Sequence, residues 1–239
     1  MLRIAMLIVR GLFSLPIWFI QLQKIKEDES VSREQRYALA QKICAWIIKH
    51  GSIKPTVSGI ENLPSEDGYL IAPNHQGLFD AVLLCDSHPR FTTAVVKIEL
   101  VNVFFVKDLI KLLKAHAMDR QNLRQSMQVI RAVSEDLKNG INCIIFPEGT
   151  RSKMGNTMGE FKGGSFKSAV NAKATIVPVA MIDCFKVFDE NSCRTVYPQL
   201  HYLTPITYEQ YQDMSTEEIA RLVKSRIQEK IDECLTEVR

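Results

Sequence analysis

Short apolar runs alternate with longer amphipathic segments over most of the 239-residue chain. The runs are rich in β-branched residues, and turn or polar residues follow them, as is typical of strands buried on both faces. They are Tyr69–Ala72, Thr92–Lys97, Asn142–Phe146 and Thr175–Met181. Between them lie segments with the apolar spacing of helices: Leu100–Leu113, the stretch that ends at Asn139-Gly140, and Ser215–Leu235. This alternation predicts an α/β fold with a mostly parallel central sheet flanked by helices.

The first 23 residues are strongly apolar, yet two arginines and Pro16 interrupt the run of about 20 apolar residues that a membrane-spanning helix needs. The polar side chains fall on one helical stripe, at Arg3, Arg10, Ser14 and Gln21. A wide apolar face beside a narrow basic stripe is typical of a helix that lies in the membrane interface. A tilted spanning helix, a signal peptide and burial against the rest of the chain are the alternatives.

A second helix is predicted to follow, because Ser32 and Gln35 form a capping-box pattern after the turn-like stretch around Lys26–Ser30. We therefore predict a membrane-associated helical hairpin over residues 1–50 and a second domain over residues 51–239. The first 50 residues contain eight basic and four acidic side chains, whereas the net charge of the whole chain is only +3. This distribution predicts that the N-terminal segment binds an anionic membrane surface, and we expect this to be the cytoplasmic face of the membrane. An RNA-binding arm, the alternative, lacks interleaved stacking aromatics, so no nucleic acid is expected.

The segment Asn74–Asp80, NHQGLFD, follows the first predicted strand. His75 has an ordinary pKa near 6.5, which suits a general base around neutrality. Asp80 comes five residues later and can accept from the Nδ1–H of His75, which would leave Nε2 free to take a proton. A chance HxxxxD spacing is the alternative, because this motif by itself is weak.

The segment Phe146–Ser152, FPEGTRS, follows another predicted strand. Gly149 permits a tight turn, and Arg151 presents a guanidinium fork that matches phosphate oxygens. Lys97 ends a third strand. Ligands of open α/β sheets bind beyond the carboxyl ends of the strands, so a base and two cations are expected at one edge. Surface turns and solvated charges remain the alternative for Arg151 and Lys97.

The two motifs, in this order and at this separation, resemble those of the lysophospholipid acyltransferase family, and within it the bacterial-type 1-acyl-sn-glycerol-3-phosphate acyltransferases. The NHxxxxD and FPEGTRS blocks are both complete, and Val177-Pro178-Val179 is similar to a later block of that family. The resemblance covers roughly Lys54 to Met181. The two-helix N-terminus also fits the family.

The resemblance implies that His75, oriented by Asp80, deprotonates the sn-2 hydroxyl of lysophosphatidic acid, which then attacks the thioester of acyl-CoA or an acyl carrier protein. It also implies a substrate-binding set: Lys97, Glu148, Gly149, Thr150 and Arg151. Neither a cofactor nor a metal is expected, because a thioester is already activated and the cysteines and histidines have no metal-ligand spacing. Other lysophospholipids and glycerol 3-phosphate remain alternative acceptors.

Other classes of function lack their signatures in the sequence. A hydrolase with a nucleophile elbow needs the motif G-x-S-x-G. The nearest match begins at Gly163-Gly164-Ser165, but Lys167 occupies the position of the last glycine. Nucleotide-binding patterns of the GxxxxGK[ST] and GxGxxG types are also absent. A non-catalytic membrane lipid-binding protein remains the alternative from a different class, because it would have no need of His75 and Asp80.

Overall fold

The computed structural model describes residues 2–237. Residue 1 of the predicted segment 1–50 and residues 238–239 of the predicted segment 51–239 lie outside the described residues. The strands are β1 Thr56–Ser58, β2 Leu70–Pro73, β3 Thr92–Lys97, β4 His116–Met118, β5 Asn142–Ile144, β6 Ile176–Ile182 and β7 Gln199–Tyr202. The first five helices are α1 Leu2–Arg10, α2 Ser14–Ile25, α3 Arg33–His50, α4 Phe79–Ser87 and α5 Val106–Leu112. The others are α6 Leu123–Lys138, α7 Lys167–Ala172, α8 Phe185–Phe188, α9 Tyr208–Tyr211 and α10 Thr216–Glu237.

The strands form one sheet in the order β1-β7-β6-β2-β5-β3-β4. All neighbours are parallel except β6 and β7, which are antiparallel. The four apolar runs identified in the sequence are the four adjacent strands β6, β2, β5 and β3 at the centre of the sheet. The prediction of a mostly parallel sheet flanked by helices is confirmed.

Helices cover both faces of these central strands, which explains why their sequences are apolar without alternation. In β2, Leu70 and Ala72 pack in the cluster that contains α6 and α10 residues such as Val133 and Val223. Ile71 points to the opposite face, into the cluster built on α4. Burying both faces of β2 fixes its position, and with it the position of the loop that follows Pro73.

The N-terminal segment differs from the predicted two-helix hairpin, because its first helix is broken into α1 and α2, which are bent by 84°. Pro16 explains the break. In one continuous helix it would remove an interior hydrogen bond to the carbonyl of Leu12, whereas in α2 it occupies the first turn, where no such bond is made. The prediction of a single polar stripe along one helix is therefore wrong. No single helix of residues 2–237 is long and apolar enough to span a membrane, although α1 and α2 pass that test together as a bent pair.

Arg3, which the stripe would place at the lipid headgroups, is instead fully buried. Its Nε donates to the carbonyl of Val187 at 2.8 Å, and its Nη2 donates to that of Arg194 at 2.8 Å. Its Nη1 donates to the carbonyl of Gly51 and, at 3.4 Å, to that of Ser52. Burial lowers the pKa of this guanidinium. Arg3 thus attaches α1 to α8 and to the chain that follows α3.

Replacing Arg3 with methionine is expected to lower the free energy of unfolding by about 2–3 kcal/mol, because buried carbonyls lose their charged donor. Thermal and urea unfolding would measure the change. The same substitution at Arg33, which is exposed at the start of α3, is the control and should cost less than about 0.5 kcal/mol. Equal effects at the two positions would contradict the anchoring role of Arg3.

The capping box that opens α3 is confirmed, since Ser32 and Gln35 exchange side-chain-to-backbone hydrogen bonds. The predicted helix over Leu100–Leu113 is shorter than expected. A 3-10 turn over Ile98–Asn102 precedes α5, and Phe105 has a φ of +68°, which ends any continuous helix there. Phe104 is left 71% exposed and its ring stacks on Phe19 of α2.

Candidate active site

His75 and Asp80 form a hydrogen-bonded pair at the carboxyl end of β2. His75 lies in the loop after the strand, and Asp80 lies in the first turn of α4. The His75 Nδ1 atom is 2.7 Å from Asp80 Oδ2. Asp80 is fully buried, whereas the His75 side chain is 21% exposed. Because a carboxylate only accepts, Nδ1 carries the hydrogen, and Nε2 makes no hydrogen bond to residues 2–237.

The loop holds the Asp80 carboxylate in place. Oδ2 also accepts from the backbone N–H groups of Gln76 at 2.6 Å and of Gly77 at 3.0 Å. The N-terminus of α4 adds a favourable dipole for a negative charge. Oδ1 is buried and has no hydrogen-bond partner among the described residues. All the directional contacts of this carboxylate therefore fall on one oxygen, the one that orients His75.

Glu148 joins the second motif to the first. Its Oε1 accepts from the backbone N–H of His75 at 2.7 Å, and its Oε2 accepts from that of Gly159 at 2.8 Å. Burial raises the pKa of this carboxyl, and the two N–H donors oppose that shift. The Phe146 ring stacks on the His75 imidazole with centroids 4.1 Å apart, and Ser152 N donates to the His75 carbonyl at 2.9 Å. The two motifs are one structural unit around His75.

Side chains outside the predicted site also hold the loop. The Asn74 amide pairs with the backbone of Met181 in β6, at 3.0 and 2.7 Å. Gln76 Nε2 donates to Asn156 Oδ1 at 2.8 Å, and Gln76 Oε1 accepts from Cys184 N at 2.9 Å. Asn74 lies within the first motif, but no spacing in the sequence indicates Asn156.

The predicted cations each have an acidic partner. Arg151 Nη1 is 3.5 Å from Asp189 Oδ1, and both side chains are partly exposed. Lys97 Nζ is 2.7 Å from Glu99 Oε1, and this pair is more than half exposed. Thr150 is exposed. Asp189, which sequence reasoning missed, is a neighbour of Arg151 only because of where α8 lies.

Gly149 has a φ of +72°, a conformation that favours glycine, and its N–H donates to the Phe146 carbonyl at 3.0 Å. The tight turn predicted for this motif is thus present. Since β2, β5 and β3 are parallel neighbours, the chain ends that carry His75, Arg151 and Lys97 lie at the same edge of the sheet, as expected.

The geometry supports proton abstraction near a bound anion. An imidazole oriented through Nδ1 by a buried carboxylate can accept a proton at Nε2. A guanidinium at the same edge can bind an anionic group of the molecule that loses the proton. The substrate-binding roles of Lys97, Glu148, Gly149, Thr150 and Arg151 stay predictions. Glu148 accepts from the backbone N–H groups of His75 and Gly159, so it positions the loop of His75.

Comparisons with known proteins relate the chain to one protein family. Residues 54–182, just over half of the chain, match the family described as Acyltransferase. A Mycoplasma pneumoniae protein named probable 1-acyl-sn-glycerol-3-phosphate acyltransferase is 28% identical over 159 residues, covering 64% of this chain and 59% of the relative. The chain therefore spans less than two thirds of that relative's length.

Two further comparisons extend over more of the chain. The 1-acyl-sn-glycerol-3-phosphate acyltransferase of Borreliella burgdorferi is 25% identical over 195 residues, covering 80% of this chain and 76% of the relative. The crystal structure of the 1-acyl-sn-glycerophosphate acyltransferase from Thermotoga maritima matches with a TM-score of 0.76 at 22% identity. That match covers 95% of this chain and 91% of the other, and it is a likeness of fold.

Proposed function

The chain belongs to the acyltransferase family, and from that premise we propose that it transfers a fatty acyl group from acyl-CoA or acyl carrier protein to the sn-2 hydroxyl of lysophosphatidic acid, forming phosphatidic acid. The names of the related proteins support this acceptor. The observation that carries the proposal is the 2.7 Å contact between His75 Nδ1 and Asp80 Oδ2 beside the FPEGTRS loop.

In the proposed reaction, His75 Nε2 takes the proton of the acceptor hydroxyl. The oxygen attacks the thioester carbonyl, and the C–S bond breaks as the tetrahedral intermediate collapses. The imidazolium returns its proton to the departing thiolate, so the products are an ester and a free thiol. Asp80 stabilises the imidazolium while it exists. The thioester is already activated, so the reaction requires no metal or cofactor.

Arg151, together with Lys97, binds the acceptor phosphate in this proposal. Replacing Arg151 with alanine is expected to raise the KM for lysophosphatidic acid about 10-fold or more, because a charge-assisted hydrogen bond contributes about 1.5–3 kcal/mol. The kcat should change much less. Initial rates at varied acceptor concentration would measure both. Lys138→Ala is the control, because it also removes one positive charge but lies at the opposite edge of the sheet. An equal increase in KM for this variant would contradict the role of Arg151 in binding the acceptor phosphate.

We also propose that the protein sits on the cytoplasmic face of a membrane through α1, α2 and the turn between them. Large apolar side chains are exposed there: Ile8, Val9, Leu12, Phe13, Ile17 and Ile20, with Phe104 beside them. A cluster of large apolar side chains left exposed on a folded domain typically contacts a lipid or protein partner. The basic charge available to anionic lipids is smaller than the sequence count, since Arg3 and Arg36 are buried and Lys26 pairs with Asp108 at 2.6 Å.

A Leu12→Ser, Phe13→Ser double variant is expected to bind vesicles of anionic phospholipid about 10-fold more weakly. Phe13 is 87% exposed, and transferring a large apolar side chain out of water contributes about 1.5–3 kcal/mol when it is complete. Co-sedimentation with vesicles would measure the change. Ile60→Ser, which alters an exposed apolar residue after β1, is the control. Unchanged binding of the double variant would place the membrane contact elsewhere.

The acceptor is tested by offering the purified protein an oleoyl thioester with lysophosphatidic acid, lysophosphatidylethanolamine or glycerol 3-phosphate in parallel. The proposal predicts the highest kcat/KM with lysophosphatidic acid. Faster transfer to another acceptor would reassign the substrate and leave the chemistry intact. Binding of lysophosphatidic acid without transfer to any acceptor would favour a lipid-binding protein.

A further inference from the structure

Arg151 already has an anionic neighbour before any phosphate arrives. Asp189 Oδ1 is 3.5 Å from Arg151 Nη1, and the side chains are 38% and 33% exposed. Asp189 directly follows α8, and a Cβ atom added to Gly77 would lie 3.4 Å from Asp189 Oδ2. The carboxylate of Asp189 thus lies between the loop that carries His75 and the cation of the second motif.

The lysine on the same short helix does not neutralise this carboxylate. Lys186 pairs with Asp183 at 2.8 Å. Asp189 therefore presents its negative charge to the space beside Arg151 and Gly77. Any group that binds Arg151 must either displace Asp189 or tolerate its charge at short distance.

Acceptor headgroups differ in how they meet that requirement. A phosphomonoester carries roughly −1.5 to −2 charges at pH 7, so it competes with Asp189 for Arg151 and is repelled by it. A zwitterionic headgroup carries one phosphate charge for Arg151 and one ammonium group that can pair with Asp189. Asp189 therefore reduces the advantage that a phosphomonoester has at Arg151, and it does not reduce the binding of a zwitterionic headgroup in the same way.

Resting on the proposed role of Arg151 in acceptor binding, we propose that Asp189 is a specificity-determining residue that weakens the binding of phosphomonoester acceptors relative to zwitterionic lysophospholipids. Removing its charge without changing its shape should move the preference of the site toward phosphomonoesters. The effect should be modest and sensitive to salt, because the ion pair is partly exposed.

The test is equilibrium binding of 1-oleoyl lysophosphatidic acid and 1-oleoyl lysophosphatidylethanolamine to wild type, Asp189→Asn and Glu190→Gln. Glu190 is the adjacent exposed acid and gives the matched change of charge. For Asp189→Asn, the Kd of lysophosphatidic acid should fall about two- to five-fold and that of lysophosphatidylethanolamine should not fall. Both effects should shrink at about 0.5 M salt. In an Arg151→Ala background, Asp189→Asn should have little effect on lysophosphatidic acid binding.

An unchanged ratio of the two Kd values in Asp189→Asn would overturn this proposal, as would an equal shift in Glu190→Gln. A shift that persists in full without Arg151 would also overturn it, and so would a wild type that binds neither lipid. Unfolding temperatures of all variants would be compared to establish that each is folded. Failure of the proposed function is a separate result, since binding can be measured even if wild type transfers no acyl group.

Discussion

Replacing His75 with alanine is expected to reduce acyl transfer by at least about 10³-fold, because no other imidazole lies in the two motifs to accept the hydroxyl proton. The His75 side chain is partly exposed, and its imidazole hydrogen-bonds the Asp80 carboxylate and stacks on the Phe146 ring. The backbone hydrogen bonds of residue 75, to Glu148 and Ser152, do not need the imidazole. Initial rates of phosphatidic acid formation would measure the loss.

Folding and membrane binding are the controls for this variant. The thermal unfolding temperature and the vesicle affinity of His75→Ala should stay close to those of wild type. His116→Ala is a matched control, because His116 also pairs with an aspartate, Asp136 at 2.6 Å, but begins β4 away from the motifs. That variant should retain transfer, and a His75→Ala protein that retained it as well would refute the general base.

The second large effect is expected for Asp80→Asn, which should slow transfer by about 10²–10⁴-fold. An amide can place its oxygen where Oδ2 lies and keep the acceptor position facing His75, Gln76 and Gly77. Its NH₂ group would then occupy the position of Oδ1, which has no hydrogen-bond partner among residues 2–237. The geometry is retained and the charge that stabilises the imidazolium is lost.

The measurement for Asp80→Asn is kcat together with the unfolding temperature. The buried amide N–H groups cost about 1–3 kcal/mol of stability, so the rate should be taken well below the unfolding transition. Transfer at more than about a tenth of the wild-type rate would mean that Asp80 only holds the loop. Asp86→Asn, later in α4 and partly buried, is the control and should retain nearly full activity.

The central sheet was predictable because strands covered on both faces need continuous apolar sequence, and the four such runs are four of the five inner strands, β6, β2, β5 and β3. The two motifs were predictable because they follow parallel neighbouring strands, whose carboxyl ends share an edge. The strand β7 was not identified, since its four residues, Gln199–Tyr202, have no run of that kind. It lies between β1 and β6, parallel to β1 and antiparallel to β6.

The N-terminal segment shows why a periodic pattern can mislead. A stripe from Arg3 to Gln21 exists only if the helix is straight, and the break before Pro16 removes that condition. An arginine in an apolar segment then has two possible surroundings, headgroups or buried carbonyls. The choice depends on contacts with residues 48 to 191 positions away, Gly51, Ser52, Val187 and Arg194, which no local pattern contains.

The site shows the same limit at Glu148 and Asp189. FPEGTRS predicts a turn with an anionic and a cationic side chain, but it does not indicate which side chain faces inward. Glu148 is 4% exposed, and its carboxylate accepts hydrogen bonds from the backbone N–H groups of His75 and Gly159. Asp189 meets Arg151 because the four-residue helix α8 lies over Gly77. Both contacts depend on tertiary packing.

Acyl transfer to lysophosphatidic acid by the purified protein is the most direct test of the central claim. An oleoyl thioester would be supplied with and without lysophosphatidic acid, and free thiol and phosphatidic acid would be followed together. The account predicts thiol release that depends on the acceptor and equals the phosphatidic acid formed, mole for mole. Thiol released at the same rate without acceptor, or no thiol released with any lysophospholipid or glycerol 3-phosphate, would contradict it.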